Sequence, residues 1–212
     1  MERKTLKSLR LLIPGLALIL AFLPLFYQMG IEYKIGEGWL AYSLLIIPAF
    51  VLGAVYNMLD TRFFITNYSH RKIDLNITSS LLKIYNRELS QEQINFLKQK
   101  RLKHIFYNIV DNDASLTAKS QLVYSNGILW TSTADVFLIS IFASIIYIGI
   151  GVPTENSSIW MTGILLAGIG LLSILFHILT IFRHFNLSND QLEYIETHYV
   201  KTLKEKLDEI LQ

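Results

Sequence analysis

Apolar residues in this chain gather into four long runs, at 11–27, 39–59, 128–152 and 159–182. Each is long enough to cross a hydrocarbon core of roughly 30 Å as a helix. The segments between and after them follow a different pattern, in which apolar residues recur at helical spacing among polar and charged ones. The pattern predicts an all-α integral membrane protein: four transmembrane helices arranged as two hairpins, a helical cytoplasmic insert and a C-terminal amphipathic helix. The corresponding divisions are a leader with the first hairpin at 1–59, the insert at 60–127, the second hairpin at 128–182 and the tail at 183–212.

Within the insert, Ser90 followed by Gln93 forms a capping-box pattern, and Ile94, Leu97, Ile105 and Ile109 recur near helical spacing. One helix over 91–110 is expected, with an earlier one over 77–89 and a later one over 115–124 ended by Ser125, Asn126 and Gly127. In the tail, Ser188 and Gln191 repeat the capping box, and Leu192, Ile195, Tyr199, Leu203, Leu207 and Ile210 mark an apolar helix face. That face needs a partner: the insert, the same helix of another copy, or a second protein.

Composition agrees with this plan. The 212 residues are 52% hydrophobic and the mean hydropathy is +0.39, too apolar for an ordinary soluble domain. Arg3, Lys4, Lys7 and Arg10 precede the first run as they would in a secretory signal, but the run is long, no small-residue cleavage pattern follows it, and a second span begins soon after. The first run is therefore expected to be retained. Of the nineteen Lys and Arg, only Lys34 lies in the outer loops at 30–38 and 153–158. The positive-inside rule then puts both termini and the insert in the cytoplasm. The net charge is +2, and cysteine is absent, which removes disulfides, thiolate metal sites and Cys nucleophiles.

Polar residues inside the spans are the candidates for chemistry. Asp135 sits a few residues inside the third run, where it either caps and hydrates the helix start or faces a pore or ion site. Ser140, Ser144, Tyr147 and Gly151 share another face of the same helix, a pattern that serves close packing as well as a pore lining. Ala49 with Gly53, and Gly163, Ala167 and Gly170, are spaced for close helix contacts. Pro14, Pro24 and Pro48 are candidate kinks. His177 and His184 are two ligands where a metal site needs three or four, so neither a metal nor another cofactor is expected.

Outside the spans, Lys98, Lys100, Arg101, Lys103 and His104 form a basic stretch. It fits phosphates of a nucleotide, an oligonucleotide or an anionic lipid headgroup, or a plain solvated face. Asp111, Asn112 and Asp113 read as a turn and helix cap. The sequence holds none of the usual hydrolase, phosphate-loop or metalloprotease patterns, and catalysis is not expected.

The paired spans around an insert holding Leu59-Asp60-Thr61-Arg62-Phe63-Phe64, and the stretch from Val110-Asp111-Asn112-Asp113-Ala114-Ser115-Leu116 to Ser125-Asn126-Gly127, resemble small prokaryotic inner-membrane proteins of anti-phage defence modules. The Hailong-type channel effector and the Kiwa-type membrane sensor are the two forms compared. The resemblance implies a homo-oligomer, such as a tetramer, working with a cytosolic protein or a nucleotide signal. Two functions follow as expectations. The first is an oligomeric ion channel gated by a cytosolic signal, with Asp135, Ser140, Ser144 and Tyr147 lining it. The alternative is a non-conducting sensor or scaffold that recruits a soluble effector. A transporter is disfavoured because the hairpins show no repeat.

Overall fold

The computed structural model describes the backbone of residues 3–30 and 39–212 and the side chains of 5–30 and 45–212. The loop with Lys34 and the side chains of Arg3, Lys4 and residues 39–44 lie outside the described residues. The fold is all-helical, with 89% of the described residues in helices and no strand among them. The helices are α1 (Arg3–Gln28), α2 (Trp39–Met58), α3 (Phe63–Tyr85), α4 (Gln91–Lys98), α5 (Arg101–Asn112), α6 (Ala114–Gly151), α7 (Ser157–His198) and α8 (Val200–Leu211). Three of them, α1, α6 and α7, are long and apolar enough to cross a membrane, and there are four candidate spans if α2 and α3 are taken together as one bent span. Their outward faces are what lipid requires: Val51, Val55, Phe142, Ile145, Leu165, Leu179 and Phe182 are all more than half exposed.

The chain divides into two compact units. The first comprises 1–66 and 127–180, the second 67–126 and 181–212. In the first, α1 and α2 pack at backbone contact. A Cβ on Gly15 would collide with the Ala49 carbonyl, and one on Gly53 with the Leu11 carbonyl. Helices that lack a hydrophobic drive to associate in lipid gain by such close approach, which only glycine permits. Around this pair, Ala21, Leu25, Tyr56, Ile139, Ala143, Tyr147 and Ile159 form a buried cluster. Gly163 and Gly170 hold the α6–α7 contact, where an added Cβ would meet Ile148 Cγ1 at 2.8 Å and Ile141 Cδ1 at 2.9 Å.

Proline is accommodated by a neighbour. Pro24 lies inside α1, where its ring disturbs the hydrogen-bond ladder one turn back. At that turn Tyr147 Oη donates to the Ala21 carbonyl at 3.0 Å and accepts from Leu25 N–H at 2.7 Å. These are the two groups that a regular helix joins directly. A buried hydroxyl thus satisfies backbone polarity that lipid would leave bare.

The second unit is built from the insert and the tail. Ile73, Ile77, Leu81, Leu97, Leu102, Ile105, Phe106, Ile109, Leu192, Ile195, Leu203 and Leu207 are buried in it. The tail's apolar face is therefore covered, and the insert supplies polar ties to it. Tyr85 Oη donates to Asp208 Oδ1 at 2.6 Å, Arg87 pairs with Asp208 Oδ2 at 2.7 Å, and Tyr199 Oη donates to Asp113 Oδ2 at 2.7 Å.

Several helix boundaries differ from the sequence expectation, each for a local reason. The Ser90–Gln93 capping box is present with both reciprocal bonds, but the helix it opens ends at Lys98. Lys100 takes φ +71°, which breaks the expected 91–110 helix into α4 and α5. The helix expected over 77–89 is the end of α3, which starts at Phe63. The helix expected to stop at Ser125, Asn126 and Gly127 continues into α6. There Asn126 is buried and Gly127 makes room for the Arg10 side chain, 3.3 Å from where a Cβ would stand. Ser188 and Gln191 open no helix either. Both are buried within α7, and the Gln191 amide donates to Ser120 Oγ at 2.8 Å.

Candidate functional site

The polar residues at one end of the first unit converge on Asp135. α2 ends at Met58, and a turn through Leu59–Arg62, with Asp60 at φ +52°, brings Arg62 against α6. Arg62 Nη2 lies 3.0 Å from Asp135 Oδ2, with the two side chains only 10% and 2% exposed. The same guanidinium nitrogen donates to the Arg10 carbonyl at 3.4 Å, and Asn57 Nδ2 donates to that carbonyl at 3.2 Å. Residues of α1, α2, the α2–α3 turn and α6 are tied at one point. An ionised carboxylate is expensive there unless it is paired. Arg62 supplies the pair.

The pair is not the whole cluster. Tyr56 lies beside Asp135 and Thr61. Even so, Tyr56 Oη, Thr61 Oγ1 and Asp135 Oδ1 are buried without a well-formed hydrogen bond. These three atoms, one of them an oxygen of the carboxylate itself, leave polarity that a bound water or a small rearrangement would satisfy. The site joins two opposite charges whose separation is costly and whose geometry depends on four chain segments.

The other residues singled out from the sequence are distributed differently. Ser140, Ser144 and Tyr147 are buried inside the chain at 5%, 4% and 0% exposure, and Tyr147 belongs to the buried cluster around α1 and α2. Ala49 and Gly53 meet α1 as just described, with Gly15 as the counterpart that sequence reasoning missed. Ala167 is half-buried between Gly163 and Gly170. His177 Nδ1 lies 3.0 Å from the Trp130 carbonyl and 3.2 Å from Thr133 Oγ1. Beside them Ser173 Oγ donates to the Thr133 carbonyl at 2.8 Å. This α6–α7 rung makes His177 a helix-packing residue. Among the described residues no three His, Cys, Asp or Glu side chains gather as a metal site would require.

The basic stretch is split by the turn at Lys100. Lys98, Lys100 and His104 are exposed. Arg101 instead stacks on Phe96, 3.6 Å from the ring centroid, and donates to the Phe96 carbonyl at 2.9 Å. Lys103 pairs with Asp74 at 2.6 Å. Asp111 and Asn112 finish α5, and Asp113 alone caps α6, its Oδ1 accepting from Leu116 N–H at 2.7 Å. That bond, with a smaller contribution from the Tyr199 hydroxyl, holds the Asp113 carboxyl below the usual carboxylate range.

Arg62 was within reach of sequence reasoning. An arginine three residues beyond a predicted span, with a carboxylate near the same end of another, has few other places to put its charge. Tyr56 and Thr61 carried no such signal.

The fold and the cluster define a class, an all-helical chain with several long apolar helices of membrane-spanning character and a buried ion pair among them. No family model, curated protein or solved structure matches the chain.

Proposed function

We propose that the chain is a non-conducting membrane sensor or scaffold that recruits a soluble effector. α1, α2, α6 and α7 are its four spans, both termini and the second unit are cytoplasmic, and the membrane is the prokaryotic inner membrane. The observation that carries this reading is the burial of Asp135, Ser140, Ser144 and Tyr147 inside a single chain. Intramembrane polar groups consumed by packing and by an ion pair are unavailable to a water-filled path, and they suit a device that holds one arrangement until a signal supplies the free energy to change it. The Arg62–Asp135 pair holds the resting arrangement. Lys98, Lys100 and His104 are the exposed residues that a nucleotide, oligonucleotide or acidic protein surface would meet. Copies of the chain associate through their outer helix faces, where Gly149 and Gly168 have open space beside them. A role in anti-phage defence rests on the resemblance of the span-and-insert plan described above.

A gated channel is the second reading. It is favoured by the unsatisfied polar atoms of Tyr56, Thr61 and Asp135, which would be the first groups wetted on opening. Ion flux from liposomes carrying the full chain separates the two, with oligomer mass measured in parallel and with short oligonucleotides and cyclic nucleotides added. The sensor reading expects flux equal to that of protein-free liposomes under every condition, with the oligomer intact. Ligand-dependent flux from a discrete oligomer would overturn it in favour of the channel.

A further inference from the structure

The N-terminal half of α3 carries an exposed stripe that the packing of the molecule does not use. Phe64, Tyr68 and Leu75 are 86%, 72% and 46% exposed. At 100° per residue they fall within about 40° of one another around the helix. Arg71 lies on one side of the stripe and Lys72 on the other, both exposed. Lys72 Nζ sits 5.5 Å from the centre of the Tyr68 ring, so the cation and the aromatic face are already associated. Asp74, the one acidic residue in α3, is engaged by Lys103. The opposite face of α3 is buried through Thr66, Ser69, Ile73 and Ile77.

The stripe also begins where a lipid-facing surface ends. Val51, Val55 and Met58 are exposed along α2, Met58 at 82%, Leu59 is exposed just after it, and Phe64 follows the turn at Leu59–Arg62. A protein partner would find a narrow ribbon of three apolar residues, far smaller than a stable interface needs. A bilayer surface needs only what is present: aromatic rings at headgroup depth, an aliphatic side chain below them and cations reaching up to phosphate.

We propose that the first half of α3 is an interfacial anchor: Phe64, Tyr68 and Leu75 insert at the headgroup–acyl boundary of the bilayer that holds the spans, and Arg71 and Lys72 bind anionic phospholipid headgroups. This rests on the membrane assignment of the spans but on neither the sensor nor the channel reading. The anchor fixes the helix that leads directly out of the Arg62 turn. Lipid charge would therefore bear on the strand of chain that carries the buried ion pair.

Because the chain has no cysteine, single cysteines can be labelled cleanly with an environment-sensitive fluorophore. The variants are Phe64→Cys, Tyr68→Cys, Val55→Cys as a span control and Lys201→Cys as a control at a site 91% exposed. Each full-length variant is reconstituted in phosphatidylcholine nanodiscs with and without phosphatidylglycerol, then exposed to doxyl-labelled lipid and to aqueous iodide. The proposal expects labels at 64 and 68 to be quenched by headgroup-proximal doxyl and shielded from iodide, more strongly with phosphatidylglycerol, while the label at 201 shows the reverse. In a Phe64→Cys background, Arg71→Gln with Lys72→Gln should lower the ratio of docked to undocked helix in anionic discs by roughly thirtyfold, taking each cation's usual contribution at an anionic surface. Iodide access at 64 and 68 equal to that at 201 overturns the anchor, as does shielding from iodide without doxyl quenching, which would mean a protein covers the stripe. Docking indifferent to phosphatidylglycerol and to the two Gln substitutions overturns the headgroup assignment. Quenching at 55 by deep doxyl keeps the membrane assignment separate, since its absence there would sink that assignment instead.

Discussion

Replacing Arg62 by methionine keeps the length and apolar stem of the side chain and removes the charge that faces Asp135. At 3.0 Å and an effective dielectric constant of about 20, the attraction between the two charges is roughly 5 kcal/mol before desolvation is counted. Desolvation offsets much of that while the pair exists, but the offset does not return when only one partner is removed. The remaining carboxylate stays 2% exposed. The expected loss for Arg62→Met is therefore about 3–5 kcal/mol, two to four orders of magnitude in the folding equilibrium. Asp135→Leu should cost a similar amount by stranding the guanidinium. The double variant should recover nearly all of it and lie within about 1 kcal/mol of the parent, because no buried charge is left unpaired. The assay is reversible unfolding of the full chain in mild detergent micelles by added dodecyl sulfate, followed by tryptophan emission and far-UV circular dichroism. Single losses that simply add in the double variant would refute the direct pairing. Single losses under about 0.5 kcal/mol would refute the burial of the charges.

Three other perturbations probe the remaining structural claims. Gly53→Ala and Gly15→Ala should each destabilise the first unit by about 1–3 kcal/mol, since the added Cβ meets backbone and not a yielding side chain; the same unfolding titration reads this. Tyr147→Phe should cost about 1–3 kcal/mol by leaving the Ala21 and Leu25 backbone groups beside Pro24 without their bridging hydroxyl, whereas Tyr27→Phe, 74% exposed, should change nothing measurable. The Asp113 carboxyl, held below its ordinary value by the Leu116 N–H and then by the Tyr199 hydroxyl, stabilises the fold above the unfolded carboxylate value of about 4, and that contribution is lost as pH falls through the lower folded value. Thermal scans of the parent and Asp113→Asn should therefore differ at neutral pH and converge under acid; a constant difference down to the lowest pH would contradict the cap.

The four apolar runs, the helical character of the insert and tail and the expectation that the tail's apolar face is covered follow from periodicity alone, because burying a stripe of leucines is a local requirement that any partner can meet. Which partner meets it is not local. Leu203 and Leu207 could have been covered by a second copy, and only the tertiary structure seats them in a unit with the insert, tied through Tyr85, Arg87 and Asp208. Helix ends show the same division. Ser90 and Gln93 satisfy each other within one turn, so the cap is readable from the sequence. Ser188 and Gln191 have identical spacing, but the Gln191 amide finds Ser120, 71 residues away, and the pattern cannot distinguish a cap from a tertiary hydrogen bond. Gly127 reads as a stop and acts as space for Arg10. Asp135 was conspicuous in the sequence because a carboxylate in an apolar run demands an explanation. Its explanation, Arg62 on the far side of a turn with Tyr56 and Thr61 beside it, required three helices to be brought together, since charge pairing at 3.0 Å is a property of positions in space and not of distance along the chain.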